Sequence, residues 1–177
     1  CSAVPTRPLD CSEFDRCEPL QFILGQPDEF TNNRLRTGLS APLSAIVSSN
    51  RLVVADTGHH RVLIWLTFPP AQNQPPDVVL GQPDLTTAQA NHGGISARSR
   101  FGPSSLASDG TRLVVADAQN QRVLIWNGFP QQSFAPADLA LAQRDFMSAT
   151  PAATPSNQTI SGAPVAAPTL YAGVRLV

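Results

Sequence analysis

Short apolar runs of strand length alternate with polar segments along most of the chain. RLVVAD (residues 51–56) and RVLIW (residues 61–65) are rich in Val, Leu and Ile, and the polar tetrapeptide TGHH separates them. Residues of this kind favour strands, and a short polar link with Asp and Gly favours a hairpin. LSAIVSS precedes the hairpin and DVVLGQ follows it. The pattern therefore predicts four short antiparallel strands in succession.

The same pattern occurs a second time. RLVVADAQNQRVLIW (residues 112–126) repeats RLVVADTGHHRVLIW (residues 51–65) 61 residues later, with eleven of fifteen positions identical. ILGQPDEF (residues 23–30) likewise recurs as VLGQPDLT (residues 79–86) and, in weaker form, as LALAQRDF (residues 139–146). A period of about sixty residues indicates a repeat architecture.

The predicted strands are apolar on both faces, as Leu52, Val53, Val54 and Ala55 show. A strand with one face in water alternates apolar and polar residues, so these strands are expected to be covered on both sides. Burying one Leu or Val is worth roughly 1.5–3 kcal/mol, and stacking of neighbouring units is then the main source of stability. The predicted fold is all-β, built from four-stranded antiparallel blades.

VLGQPD, a loop that ends in Pro, and ADTGHHRVLIW resemble the NHL repeats of secreted or surface-anchored bacterial β-propellers. The resemblance covers residues 20–177 and implies propeller blades of the six-bladed type. It predicts complete units at about 24–80 and 80–141, an outer strand at residues 22–25, and a third unit that starts at Pro168 and is cut short, so that the chain is a partial propeller. Such a scaffold serves many purposes and is weak guidance to function.

Residues 1–19 are interpreted as a leader that precedes the repeats. Cys1 followed by Ser resembles the processed start of a bacterial lipoprotein with a lipidated thiol, which would place the protein outside the cell or at its envelope. The alternatives are an arbitrary start of the sequence and a disulfide, either between Cys11 and Cys17 or from one of them to Cys1. A metal site is disfavoured because the spacing is not CxxC and no His lies near. No apolar run approaches the roughly 18–20 residues that span a bilayer, so membrane contact would depend on this anchor.

Composition and motifs favour a binding protein over an enzyme. Twelve basic and thirteen acidic residues give a net charge of −1, and no stripe of Lys or Arg indicates nucleic acid as a partner. No GxSxG motif, P-loop, pair of catalytic acids or nucleotide fingerprint is present, and no cofactor is predicted. The first hypothesis is a non-enzymatic scaffold that binds protein or glycan at the bacterial cell envelope. Open blade edges could also lead to self-association.

The histidines carry the alternative hypothesis. The NHL resemblance extends to peptide-amidating lyases, which hold zinc through histidines near the central channel, so the chain could be part of a zinc- or calcium-dependent lyase or hydrolase. Against this, His59 and His60 are neighbours that would point to opposite sides, the second repeat has Asn120 and Gln121 there, and His92 is the one other histidine. We therefore expect solvated loop histidines.

Asp56 and Arg61 recur as Asp117 and Arg122 on either side of the turn. An acid and a cation at this spacing could face a ligand. A structural role is the stronger prediction, since the carboxylate can accept N–H groups of the turn and pair with the Arg across the hairpin.

The loops that vary between repeats are predicted to lie together. In a four-stranded blade, the loop between the second and third strands is on the same face as the connection to the next blade. TGHH and AQNQ, which packing is expected to leave free, would share that face with the inserts 84–102 and 146–167. Variable loops on a rigid scaffold often bind partners. The predicted binding residues are His59, His60, His92, Arg98 and Arg100.

Overall fold

The computed structural model describes residues 23–26, 38–71 and 73–149. Its strands fall into two successive groups, and a one-turn 3-10 helix joins the second and third strands of each group. The first group is β1 (Ser44–Ser48), β2 (Arg51–Asp56), β3 (Arg61–Trp65) and β4 (Val78–Leu80), with a 3-10 helix at Thr57–His59. The second group is β5 (Pro103–Ser108), β6 (Leu113–Asp117), β7 (Arg122–Trp126) and β8 (Leu139–Leu141), with a 3-10 helix at Ala118–Asn120.

Each group forms one antiparallel sheet whose strands pair in chain order. β1 to β4 make the first sheet and β5 to β8 make the second sheet. The registers correspond: Asp56 pairs with Arg61 in the first sheet, and Asp117 pairs with Arg122 in the second. The all-β fold with four-stranded, blade-like antiparallel units is confirmed. The strands pair in chain order because short β-branched runs joined by tight turns pair most easily with their neighbours in the sequence.

The main hydrophobic core lies between the two sheets. Alternate residues of each strand share one face, so each sheet contributes every second side chain to this core. The first sheet supplies Val53, Ala55, Val62, Ile64, Val78 and Leu80, and the second sheet supplies Leu106, Leu113, Val115, Leu124, Trp126 and Ala140. This packing positions the connecting segment, residues 81–102, which links β4 to β5.

The other face of the first sheet is also covered. Val54, Leu63, Trp65 and Val79 form a second buried cluster there, against which Leu24, Leu39, Leu52 and Leu85 pack. The prediction of strands buried on both faces is therefore confirmed for β3, in which every residue is buried. In β6 buried and partly exposed residues alternate, because the far face of the second sheet is less covered by the described residues.

One predicted strand does not form as expected. Residues 23–25, the described part of the outer strand expected at residues 22–25, do not form a strand, and residues 24–26 are a bend. A strand needs a neighbour to pair with, and within the described ranges none forms a ladder with this segment. The leader with Cys1, Cys11 and Cys17, the third unit from Pro168 and most of the second insert lie outside the described residues. No helix of the described part of the chain has the length and apolar character needed to cross a membrane.

Candidate functional site

The turn between β2 and β3 lies against the connecting segment. The side-chain amide of Gln82 donates to the carbonyls of His60 (3.3 Å) and Gln89 (2.7 Å), and the Gly102 N–H donates to His60 Nδ1 at 3.3 Å. In the second repeat, Gln143 contacts the Gln121 carbonyl in the same way, at 2.9 Å. The prediction that these turns and the connection between units share a face is confirmed.

Asp56 organises the first turn. Its carboxylate accepts hydrogen bonds from the Ser40 N–H (2.6 Å), Arg61 Nε (2.7 Å) and His59 Nδ1 (3.0 Å). Asp56 and Arg61 are completely buried. A buried ion pair is tolerated when further hydrogen bonds satisfy both partners, and Arg61 also donates to the carbonyls of Gly38 and Leu85. The structural role predicted for this pair is confirmed.

Asp117 has the same surroundings in the second turn. It accepts from the Phe101 N–H, Asn120 Nδ2 and Arg122 Nε, each at 2.8 Å. Asn120 therefore provides the N–H group that His59 provides in the first repeat. The replacement of Asn by His between the repeats conserves one donor to a buried carboxylate.

The expected solvation of His59 is wrong. The residue is 8% exposed, because the turn needs its Nδ1–H as a donor to Asp56 and the ring folds inward to reach it. The expectation that packing leaves TGHH free is wrong as well. Thr57 Oγ1 donates to the Pro103 carbonyl at 2.6 Å, and a Cβ at Gly58 would come within 2.5 Å of Ser40 Oγ.

His60 is partly exposed, and one hydrogen bond defines the tautomer of its neutral ring. Its Nδ1 accepts from the Gly102 N–H, so the proton of the neutral ring is on Nε2. The ring meets Phe101 edge to face, with the centroids 5.2 Å apart. Burial lowers the pKa of His60, and the neighbouring His59 adds to this effect, whereas Asp117 and Asp56 oppose it.

His92 and Arg98 meet at a third residue, Phe134, in the connection between β7 and β8. The His92 ring lies edge-on to Phe134 with the centroids 5.8 Å apart, and Arg98 Cζ is 5.8 Å from the Phe134 centroid. Arg98 also donates to the Phe134 carbonyl, and the Phe134 N–H donates to Val79 O at 2.8 Å. We call His92, Arg98 and Phe134 the Phe134 cluster.

Arg100 is fully buried, so its side chain cannot reach a partner at the surface as predicted. Its guanidinium carbon lies 4.5 Å above the Trp126 ring, and Nη1 donates to Ser99 O at 2.6 Å. Nε and Nη2 have no hydrogen-bond partner. Burial lowers the pKa of Arg100; the charge of Arg122 acts in the same direction and that of Asp117 opposes it.

The predicted binding residues thus separate into four environments. His59 is bound to Asp56, His60 to Phe101 and Gly102, the pair His92 and Arg98 to Phe134, and Arg100 to Trp126. Sequence reasoning missed Phe101 and Phe134. Alignment of the two repeats could have identified them, because at the 61-residue spacing Phe101 and Phe134 occupy the positions of the polar residues Ser40 and Asn73.

The described ranges contain no group of three or more His, Cys, Asp or Glu side chains arranged to hold a metal ion. His59 and His60 use Nδ1 for Asp56 and Gly102, respectively. Comparison with known proteins gives no match, either to a family model or to a curated protein. The site must therefore be interpreted from its own geometry.

Proposed function

We propose that this protein is a non-enzymatic, NHL-like scaffold that binds a protein or glycan partner, with the Phe134 cluster at the centre of the binding surface. The supporting observation is that this aromatic ring, partly exposed, is held in place before any partner arrives. Hydrogen bonds to the backbone of Phe134 tie it to Arg98 and to Val79 of the first sheet. Groups that are ordered in advance lose little conformational entropy on binding.

The side chains of the cluster are of the types that dominate binding energy. Aromatic and Arg residues are enriched among the few interface residues whose truncation costs most. Arg98 is exposed and keeps donors available, while His92 and Phe134 present ring surface. A planar cation beside an aromatic ring suits either a peptide or the mixed polar and apolar faces of a sugar.

The first repeat offers a matched variant for the test. Phe134 corresponds to Asn73, so Phe134→Asn places a residue that the fold already accepts at this position. Arg144→Ala, at a side chain that is 83% exposed, is the control. We expect F134N and R98A to weaken binding in a glycan array and in cross-linking with envelope proteins at least about tenfold, as for loss of an interface hot spot. R144A should bind like the wild type.

Unchanged binding by F134N and R98A, with thermal midpoints like that of the wild type, would contradict this site. Turnover of a bound partner, or stoichiometric zinc or calcium in the purified protein, would instead support the enzymatic alternative. The proposed envelope location rests on the resemblance of Cys1 and Ser2 to a lipoprotein start. Fractionation of cells that express the wild type and Cys1→Ser would test it, because loss of a lipid anchor releases the protein from the membrane fraction.

A further inference from the structure

A half-open groove of about 310 Å³ lies over Trp65, on the face of the first sheet that points away from the second sheet. Its walls are mostly apolar, and they are formed by Trp65, Leu63, Leu39, Leu85, Pro75 and Pro76. The Trp65 indole N–H is already bound to the Gln74 carbonyl at 2.9 Å, which fixes the ring. We call this space the Trp65 groove.

The surroundings of Trp126 correspond to this groove in the second repeat, except that the Trp126 indole N–H lacks the hydrogen bond that Trp65 makes. Arg61 Nη2 donates to Gly38 O at 2.8 Å, and Arg122 Nη2 donates to Ser99 O at 3.0 Å. The residues that follow these two carbonyl groups are Leu39 and Arg100. Position 39 in the first repeat therefore corresponds to position 100 in the second.

Packing on glycine confirms this correspondence. A Cβ on Gly25 would lie 2.7 Å from Leu39 Cγ, and a Cβ on Gly81 would lie 2.6 Å from Arg100 Cγ. The stems of the two side chains therefore leave the backbone in the same way. Leu39 ends just beyond Cγ, whereas the Arg100 chain continues over the tryptophan.

In the second repeat, the space over the indole is taken by the Arg100 guanidinium. Its carbon is 4.5 Å from the Trp126 centroid, and Nη1 donates to the carbonyls of Ser99 (2.6 Å) and Ala97 (3.3 Å). Ser99 O thus accepts from both Arg100 and Arg122. The protein itself shows which group fits this kind of site.

We propose that the Trp65 groove binds the guanidinium group of an arginine side chain from a partner protein. The indole face attracts the cation, and the apolar walls suit the aliphatic stem. Gly38 O accepts one hydrogen bond from Arg61 and has a second lone pair, as Ser99 O has for Arg100. A flat guanidinium stacks on the ring more completely than a lysine ammonium does. This site is separate from the Phe134 cluster and does not depend on the proposed function.

The probe for the test is ethylguanidinium, titrated at concentrations well below those that unfold the protein. Two-dimensional ¹H–¹⁵N NMR spectra resolve the indole N–H signals of Trp65 and Trp126 separately. We expect a saturable shift of the Trp65 signal and none of the Trp126 signal. Ethylurea has the same shape without the charge and should bind about tenfold more weakly, since the cation contribution is lost.

The repeat provides two variants with opposite expected effects. Leu39→Arg places a guanidinium in the Trp65 groove and should abolish the Trp65 response. Arg100→Leu empties the space over Trp126 and should make the Trp126 signal respond to ethylguanidinium. The proposal would be overturned if ethylguanidinium did not shift the Trp65 signal, or if ethylurea bound as tightly as ethylguanidinium. It would also be overturned if the L39R variant bound ethylguanidinium as tightly as the wild type. If L39R does not fold, R100L and the comparison with ethylurea still decide it.

Discussion

Replacing Asp117 by Asn removes the charge from a buried carboxylate that accepts hydrogen bonds from three donors. Asp117 is fully buried and accepts from Phe101, Asn120 and Arg122. The variant keeps the shape of the side chain but leaves Arg122 without its ionic partner. Arg100, which also lies in the field of Asp117, loses its one favourable neighbouring charge at the same time.

The expected loss follows from the burial of the pair. Removing one partner of a buried salt bridge typically costs about 3–5 kcal/mol, because the remaining charge stays out of water. Asp56→Asn is the matched comparison, because it leaves one buried arginine, Arg61, without its ionic partner. We expect D117N to lose more stability than D56N, since D117N leaves two buried cations.

Urea unfolding at pH 7, followed by tryptophan fluorescence and circular dichroism, measures both losses. The double variant Asp117→Asn with Arg100→Met should be less destabilised than the sum of the single effects predicts, because one of the uncompensated cations is gone. A loss below about 1 kcal/mol for D117N would contradict a buried pair of the kind described. So would a larger loss for D56N than for D117N.

Three further outcomes are expected. Arg100→Met should raise the unfolding free energy by about 1–4 kcal/mol, because Arg100 is a buried charge with two unpaired donor atoms and Met still fills the space over Trp126. In this enclosed site the loss of hydration outweighs the contact with the ring, whereas a guanidinium in the half-open Trp65 groove would keep its remaining donors in water. A lower unfolding free energy of the variant in urea would contradict this. His60→Gln places at this position the residue type of Gln121, and it should flatten the pH dependence of stability. The pKa of His60 lies below 6.5 in the folded protein, so the unfolded chain takes up the proton first as the pH falls. The wild type therefore loses stability below about pH 6.5, and the variant lacks this contribution. Urea midpoints at pH 7.5 and 5.0 that change equally in both proteins would refute this. Gly81→Ala should destabilise by more than 1 kcal/mol, because φ is +94° and the new Cβ would lie 2.7 Å from His60 O; an unchanged thermal midpoint would count against it.

The hairpins were predictable because their determinants are close together in the chain. Asp56 and Arg61 are five residues apart and face each other across one turn, so residue type and spacing were enough to predict their pairing. The order of the four strands followed for the same reason. The NHL identity of the repeat stays a prediction, as do the leader, the self-association and the envelope location.

The candidate sites were less predictable because their contacts join distant segments. Phe134 reaches His92 and Arg98 through the packing of two connections, and no local pattern marks that meeting. The burial of His59 had a weak signal, since Asn120 in the other repeat also donates well to a carboxylate. A histidine in a loop is usually solvated, but here the buried carboxylate of Asp56 needs a donor, and that requirement decides the position of the His59 ring.

The amino-acid sequence by itself showed the repeat, and it determined the strands, the turns and the Asp–Arg ion pairs, since each of these three depends on residues near one another in the chain. The tertiary structure decided which face of each sheet is covered and which charges are buried. Arg100 shows the difference: its position opposite Leu39 can be found by comparing the repeats, but its contact with Trp126 and its exclusion from water exist only once the second sheet packs on the first. The empty counterpart over Trp65 has the same origin, because a cavity is a property of packing between segments and not of any one segment.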